Sequence, residues 1–191
     1  FLLYYTLPRS WQWPLLLAAS YVFYFIASPS YLIFIGATTV SAYVVSLRLD
    51  ALKEEQDAYI KANKGTLTRE EKKAYKASVK ARQWKWLLLC LLFNLGILAV
   101  LKYTNFVIAN FNGILSAFGS GGQISFVDLV LPMGISFYTF QTMGYIIDVY
   151  RGTSRAEKNL FRLALFVSFF PQLVQGPISR YHDLARSLYE R

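Results

Sequence analysis

Apolar runs follow one another along this chain, separated by short polar breaks and one long polar interruption. Residues 11–28 (WQWPLLLAASYVFYFIAS) and 30–47 (SYLIFIGATTVSAYVVSL) each approach the roughly 20 mostly apolar residues that a membrane-crossing helix needs. Pro29 between them predicts a tight hairpin. From Arg48 to Lys85 the pattern changes: eleven Lys or Arg stand against six Asp or Glu, with no apolar run. That stretch predicts a water-exposed loop, helical at both ends. It should turn at Asn63, Lys64 and Gly65 and restart as helix at Thr68, ahead of Glu70 and Glu71. Residues 86–107 again suffice for a span, with Trp84 and Trp86 beside Lys85 as an interfacial anchor. IANFNGILSAF, residues 108–118, predicts a separate short helix in the interface, and GSGGQ after it a flexible turn. Residues 126–149 form a further apolar stretch, interrupted at Pro132 and Gly134. A last run, 160–173, leads into FFPQLVQGPISRYHD at residues 169–183.

Composition sharpens this pattern. With 55% of the 191 residues hydrophobic and 17% aromatic, the apolar side chains exceed what one water-soluble core can hold. The expected fold class is an all-α, polytopic integral membrane protein with broken or re-entrant helices. Its parts divide into 1–47, a first helix plus a transmembrane hairpin; 48–85, the charged helical loop; and 86–191, further membrane helices and a re-entrant core segment. FLLYYTLPRS lacks an initiator Met and the pattern of a signal peptide. Residues 1–7 are therefore read as the tail of a helix, and the chain as the N-terminal part of a larger membrane domain. Lys and Arg accumulate on cytoplasmic sides, which places the 48–85 loop and residues 151–158 in the cytosol. Residues 27–30 and 110–123, which carry no Lys or Arg, then lie outside, as in a multi-pass protein of the inner (plasma) membrane. The net charge of +9 raises nucleic acid as a partner, but the loop mixes signs and lacks the interleaved aromatics of a single-strand binder. We read it as a solvated helical pair facing anionic lipid of the bilayer. Cys90, the one cysteine, is read as packing.

Two stretches carry candidate chemistry. In LPMGISFYTFQTMGYIIDVYRG, residues 131–152, a helix would stack Gly134, Tyr138, Gln141, Tyr145 and Asp148 on one stripe. Phenols, an amide and a carboxylate in a membrane segment must face protein or a water-filled cavity. The competing reading is that they join helices to one another, with Gly144 allowing close approach. In the second stretch, Pro171 removes a backbone donor and disfavours helix at Phe170, and Gly176 with Pro177 repeats the damage. Broken backbone at membrane depth survives only inside protein or beside a cavity, so Gln172 and Gln175 are expected to border such a space. A proline-kinked helix ending at the interface is the alternative. Arg180 has two candidate roles, interfacial anchor or cation for a phosphate. His182, the sole histidine, sits among Arg, Asp and Glu and reads as a surface residue. No nucleophile elbow, metal-ligand spacing or phosphate loop is present.

These two motifs, in this order and about twenty residues apart, resemble the membrane-bound O-acyltransferase family, in particular its alginate and peptidoglycan O-acetylating branch. The branch that transfers D-alanine to teichoic acids is related, but Gln172, Gln175 and Ser179 depart from its pattern. The resemblance implies acyl transfer from a cytosolic donor, acetyl-CoA, to hydroxyls of a cell-envelope polysaccharide acceptor, with an extracytoplasmic esterase-like protein as a further partner. It places the family's catalytic histidine in a later segment, so no catalytic residue is assigned here and no bound cofactor or metal is expected. Tyr138, Gln141, Tyr145, Gln172, Gln175 and Arg180 become the candidate substrate-binding residues. A D-alanyl transferase fed by a carrier protein, and a non-catalytic transport or scaffold subunit, are the competing expectations.

Overall fold

The computed structural model describes residues 2–27, 29–118, 122–128, 131–176 and 179–189, with the side chains of 2, 3, 9, 31 and 173–175 outside that description. Its helices are α1 (Leu2–Thr6), α2 (Arg9–Ala27), α3 (Pro29–Ala62), α4 (Arg69–Ala117), α5 (Ile135–Arg151), α6 (Leu160–Ser168), α7 (Phe170–Gln175) and α8 (Tyr181–Tyr189). No strand occurs among the described residues.

The centre of the bundle is α3, which packs against α2, α4, α5 and α6. Pro29 opens it, a position where the missing N–H has no helical partner to lose. Along α3 the buried positions run Ile35, Thr38, Thr39, Ala42, Val45, Ser46, Leu49 and Asp50, a stripe of mostly small or β-branched side chains that lets neighbouring backbones approach. Both α3 and α4 are long and apolar enough to cross a membrane. Helix α4 buries only Val79, Gln83, Leu87, Cys90, Asn94 and Leu98, one position per turn. Leu88, Leu89, Leu92, Phe93 and Leu95 on its other faces stay exposed. A helix that is apolar all round yet buried on one stripe is built to meet a second apolar medium.

The polar loop is a hairpin formed by extensions of α3 and α4. Thr68 caps α4 with a reciprocal box: its hydroxyl accepts the Glu71 N–H, and the Glu71 carboxylate accepts the Thr68 N–H at 2.8 Å. These bonds hold the Glu71 carboxyl below its ordinary pKa. Below the tip, Tyr59 and Tyr75 stack with ring centres 4.2 Å apart.

Two expectations need correction. Residues 108–117 are not a separate interfacial helix but the continuation of α4, since single glycines at 96 and 113 cost a helix too little to break it. In the interrupted apolar stretch 126–149, residues 126–128 and 131–134 are not helical. Instead, 122–128 run beside α4, held by two asparagines: Asn112 exchanges two bonds with the Ile124 backbone, both 2.8 Å, and Asn105 does the same with Val127. Seven helical residues rise about 10.5 Å and three extended residues about 10 Å, so this spacing matches a strand-like segment to a helix without a sheet. Lastly, Gly144 makes no close approach: it is exposed, and a Cβ there would meet nothing within 4 Å.

Candidate functional site

Helix α5 begins where Gly134, at φ 73°, turns the chain out of the Pro132 break. Gly134 therefore serves as a cap, outside the stripe expected for it. The other members of that stripe do share a face. Tyr138, Gln141 and Tyr145 are buried, together with Thr142, while Phe137 and Phe140 look outward.

At the centre of this face Gln141 meets the end of α6. The backbone leaves the helical region at Phe169 (φ −60°, ψ 97°), which takes the Phe170 N–H away from the Phe166 carbonyl. Pro171 has no N–H to offer the next carbonyl. The Gln141 amide fills this gap: its Nε2 donates to the Phe166 carbonyl and to Gln172 Oε1, each at 3.1 Å. Gln172 Nε2 then donates to Ser179 Oγ at 2.7 Å. A relay of amides thus ties α5, the end of α6, α7 and the chain beyond the second break. Gln175 lies at the end of α7, and its side chain is outside the described residues. The opposite side of the break, at Phe169, Phe170 and Pro171, borders a cavity of about 510 Å³ shared with Leu15, Ala19 and Leu188.

One turn toward the N-terminus of α5, the hydroxyl of Tyr138 has no hydrogen-bond partner among the described residues, and the same holds for Tyr24, Thr39 and Thr142. Buried hydroxyls normally find a partner, and each one left without it costs about 1–3 kcal/mol. These hydroxyls on α2, α3 and α5, with Asn94 Oδ1 on α4 and Arg162 Nε on α6, are the unsatisfied buried side-chain groups among the described residues.

One turn toward the C-terminus, the Tyr145 hydroxyl accepts the Glu157 N–H at 2.8 Å. The Glu157 carboxylate in turn accepts the Tyr181 hydroxyl and, at 2.8 Å, the Asn159 N–H. The Tyr145 and Tyr181 rings lie 4.9 Å apart, and Phe166 packs on both. Sequence reasoning missed Glu157. Its neighbours in sequence are charged and look like a surface loop, and only the fold brings two phenols to it.

Arg180 sits elsewhere, exposed, on a cleft of about 320 Å³ with Asp148, Thr153, Ser154, His182 and Asp183. Asp148 ends the α5 stripe at this cleft. Two acids and two bases converge there, while Asp148 also supplies the carbonyl that accepts from Thr153 and Ser154. His182 is exposed. No group of three His, Cys, Asp or Glu residues that could hold a metal occurs among the described residues.

Known proteins give this geometry a setting. The chain is 35% identical over 190 residues to the probable alginate O-acetylase AlgI of Pseudomonas aeruginosa, covering 99% of this chain and 32% of that protein. It is 32% identical over 136 residues to the peptidoglycan O-acetyltransferase of Helicobacter pylori, covering 59% of this chain and 25% of the relative. The chain belongs to the membrane-bound O-acyltransferase family. The teichoic acid D-alanyltransferase of Bacillus subtilis matches over 59 residues at 34% identity, covering 31% of this chain and 15% of the relative. This member of the family spans about a third of the length of the alginate O-acetylases it matches. No family model and no solved structure matches it.

Proposed function

We propose that this chain forms part of an O-acyltransferase that moves an acyl group, acetyl in the first instance, from a cytosolic donor to hydroxyls of a cell-envelope polysaccharide. The observation that carries this reading is the match to alginate O-acetylases along essentially the whole chain. Acetyl-CoA is the donor we propose, and an extracytoplasmic esterase-like protein a further partner. The protein is then multi-pass in the inner membrane, with the 48–85 hairpin in the cytosol, as the excess of Lys and Arg there supports.

An acyltransfer across a bilayer needs donor and acceptor to meet at a general base in a place shut to bulk water. In this proposal the described residues build the walls of that place. The Gln141 relay braces the broken segment, and the buried hydroxyls of Tyr138 and Tyr24 are the donors available to an ester or hydroxyl oxygen. Arg180, at the α8 end, is a cation for phosphate on the donor side. The base itself comes from outside this chain. D-alanyl transfer has weaker support, because its relatives match under a third of the chain.

The test is transfer by the full-length protein in vesicles. Labelled acetyl-CoA is supplied on the hairpin side, a polysaccharide acceptor on the other, and the ester formed is identified. Labelled O-acetyl ester on the acceptor is the expected product. Transfer only from an aminoacylated carrier protein, or no transfer with a bound acceptor, would reject the reading.

A further inference from the structure

The tip of the α3–α4 hairpin holds a cleft of about 460 Å³ lined by Asp57, Ile60, Lys61, Lys64, Lys72 and Lys76. We propose that this cleft is a binding site for a soluble polyphosphate group, such as the phosphates of a nucleotide, separate from the amide relay in the bundle.

Four lysines face one aspartate in the cleft, and two of the nearby acids are engaged elsewhere. Glu71 is engaged with Thr68, and Glu54 lies 3.5 Å from Arg155, the ion pair formed among the described residues. Lysines left without carboxylates on both helices, in a hairpin held by the Thr68 box and the stacked Tyr59 and Tyr75, make a positive concavity fixed before any ligand arrives.

Size and position select the ligand. The volume falls in the range of small-molecule sites, about 300–1,000 Å³. A protein partner would need an interface of the order of 1,000 Å² with an apolar centre, whereas Ile60 is the one aliphatic residue lining the cleft. Bilayer phosphates lie too low. Counting 1.5 Å per helical residue, Lys72 stands about 18 Å beyond Trp84 and Lys61 about 21 Å beyond Leu47. The headgroup layer occupies roughly 5–7 Å of that, and the remainder exceeds the Debye length of about 8 Å at physiological salt.

The experiment uses the full-length protein in zwitterionic nanodiscs, titrated with inorganic tripolyphosphate by calorimetry. Saturable one-to-one binding is expected, weakened about tenfold by Lys72→Gln with Lys76→Gln, since each exposed charge contact supplies up to about 1 kcal/mol. Asp57→Asn should tighten binding severalfold, a gain that damage to the hairpin would not produce. Lys102→Gln, on the remote part of α4, should leave it unchanged. Equal binding by all four proteins would overturn the proposal. So would binding of polyglutamate in place of tripolyphosphate, or abolition of tripolyphosphate binding by phosphatidylglycerol in the nanodisc, which would assign the lysines to acidic protein or to lipid.

Discussion

Replacing Gln141 tests whether the broken segment is held by its amide. Gln141→Met keeps an unbranched side chain of similar length but removes both donors. The Phe166 carbonyl then has no replacement: its helical donor is lost at the Phe169 turn, and Gln141 reaches it at 3.1 Å from a site 4% exposed. A stranded buried acceptor costs about 1–3 kcal/mol. The second bond, to Gln172 at 3.1 Å, joins two side chains, and such contacts inside membrane proteins average about 0.6 kcal/mol. Gln141→Met should therefore destabilise the protein by about 2 kcal/mol, dominated by the carbonyl.

The partner variant separates the two contributions. Gln172→Met leaves the Phe166 carbonyl bonded and breaks the side-chain contact and the one to Ser179. It should cost less than Gln141→Met. The double variant should show a coupling of about 0.6 kcal/mol, because the carbonyl bond does not pass through Gln172. Reversible unfolding in mixed micelles, followed by tryptophan fluorescence, measures all three. A Gln141→Met protein within the roughly 0.3–0.5 kcal/mol scatter of additivity, or a Gln172→Met protein as unstable as it, would refute the assignment of Gln141 as the cap of α6.

Three further substitutions probe the frame around the site. Gly152 ends α5 at φ 77°, and a Cβ there would fall 2.3 Å from Lys53 Nζ; the lysine can swing away but the backbone cannot, so Gly152→Ala should destabilise by about 1–2 kcal/mol in the same unfolding assay. Thr68→Ala removes the capping box and should cost the hairpin about 1 kcal/mol, seen as faster amide exchange at the start of α4. Because the folded Glu71 carboxyl titrates below its ordinary value, its contribution is complete above that ordinary pKa and is lost as pH falls through the folded one; the variant should lose this acid dependence. Asn112→Leu frees the Ile124 backbone on both sides, and should make residues 122–128 exchange faster while the interior of α5 is unaffected.

Much of the frame was legible because it follows from local chemistry. Apolar runs of spanning length, the Asn63–Gly65 turn and the Thr68 start each depend on residues within a few positions of one another. The break beside Pro171 was legible too, but one residue out of place: Pro171 is expected to disfavour helix at Phe170, whereas the chain leaves helix at Phe169 and Phe170 opens α7. The buried face of α5 could be read from its period. What could not be read was the partner of each group. Gln141 and Phe166 are 25 positions apart, Asn105 and Val127 are 22, and Tyr181 and Glu157 are 24. Nothing local reveals such pairs. The same limit explains the short interfacial helix that proved to be part of α4: of the asparagines in residues 108–118, Asn112 is engaged with the backbone of a neighbouring segment and Asn110 with the Phe106 carbonyl of its own helix. Amides in an apolar run thus have two readings, a passage or a brace. At Gln141 and Asn112 the brace is visible, because their hydrogen bonds end on a carbonyl in the last turn of α6 and on the non-helical segment 122–128. In the proposed function, the hydroxyls of Tyr24 and Tyr138, without a partner among the described residues, are then the better candidates to receive a substrate oxygen.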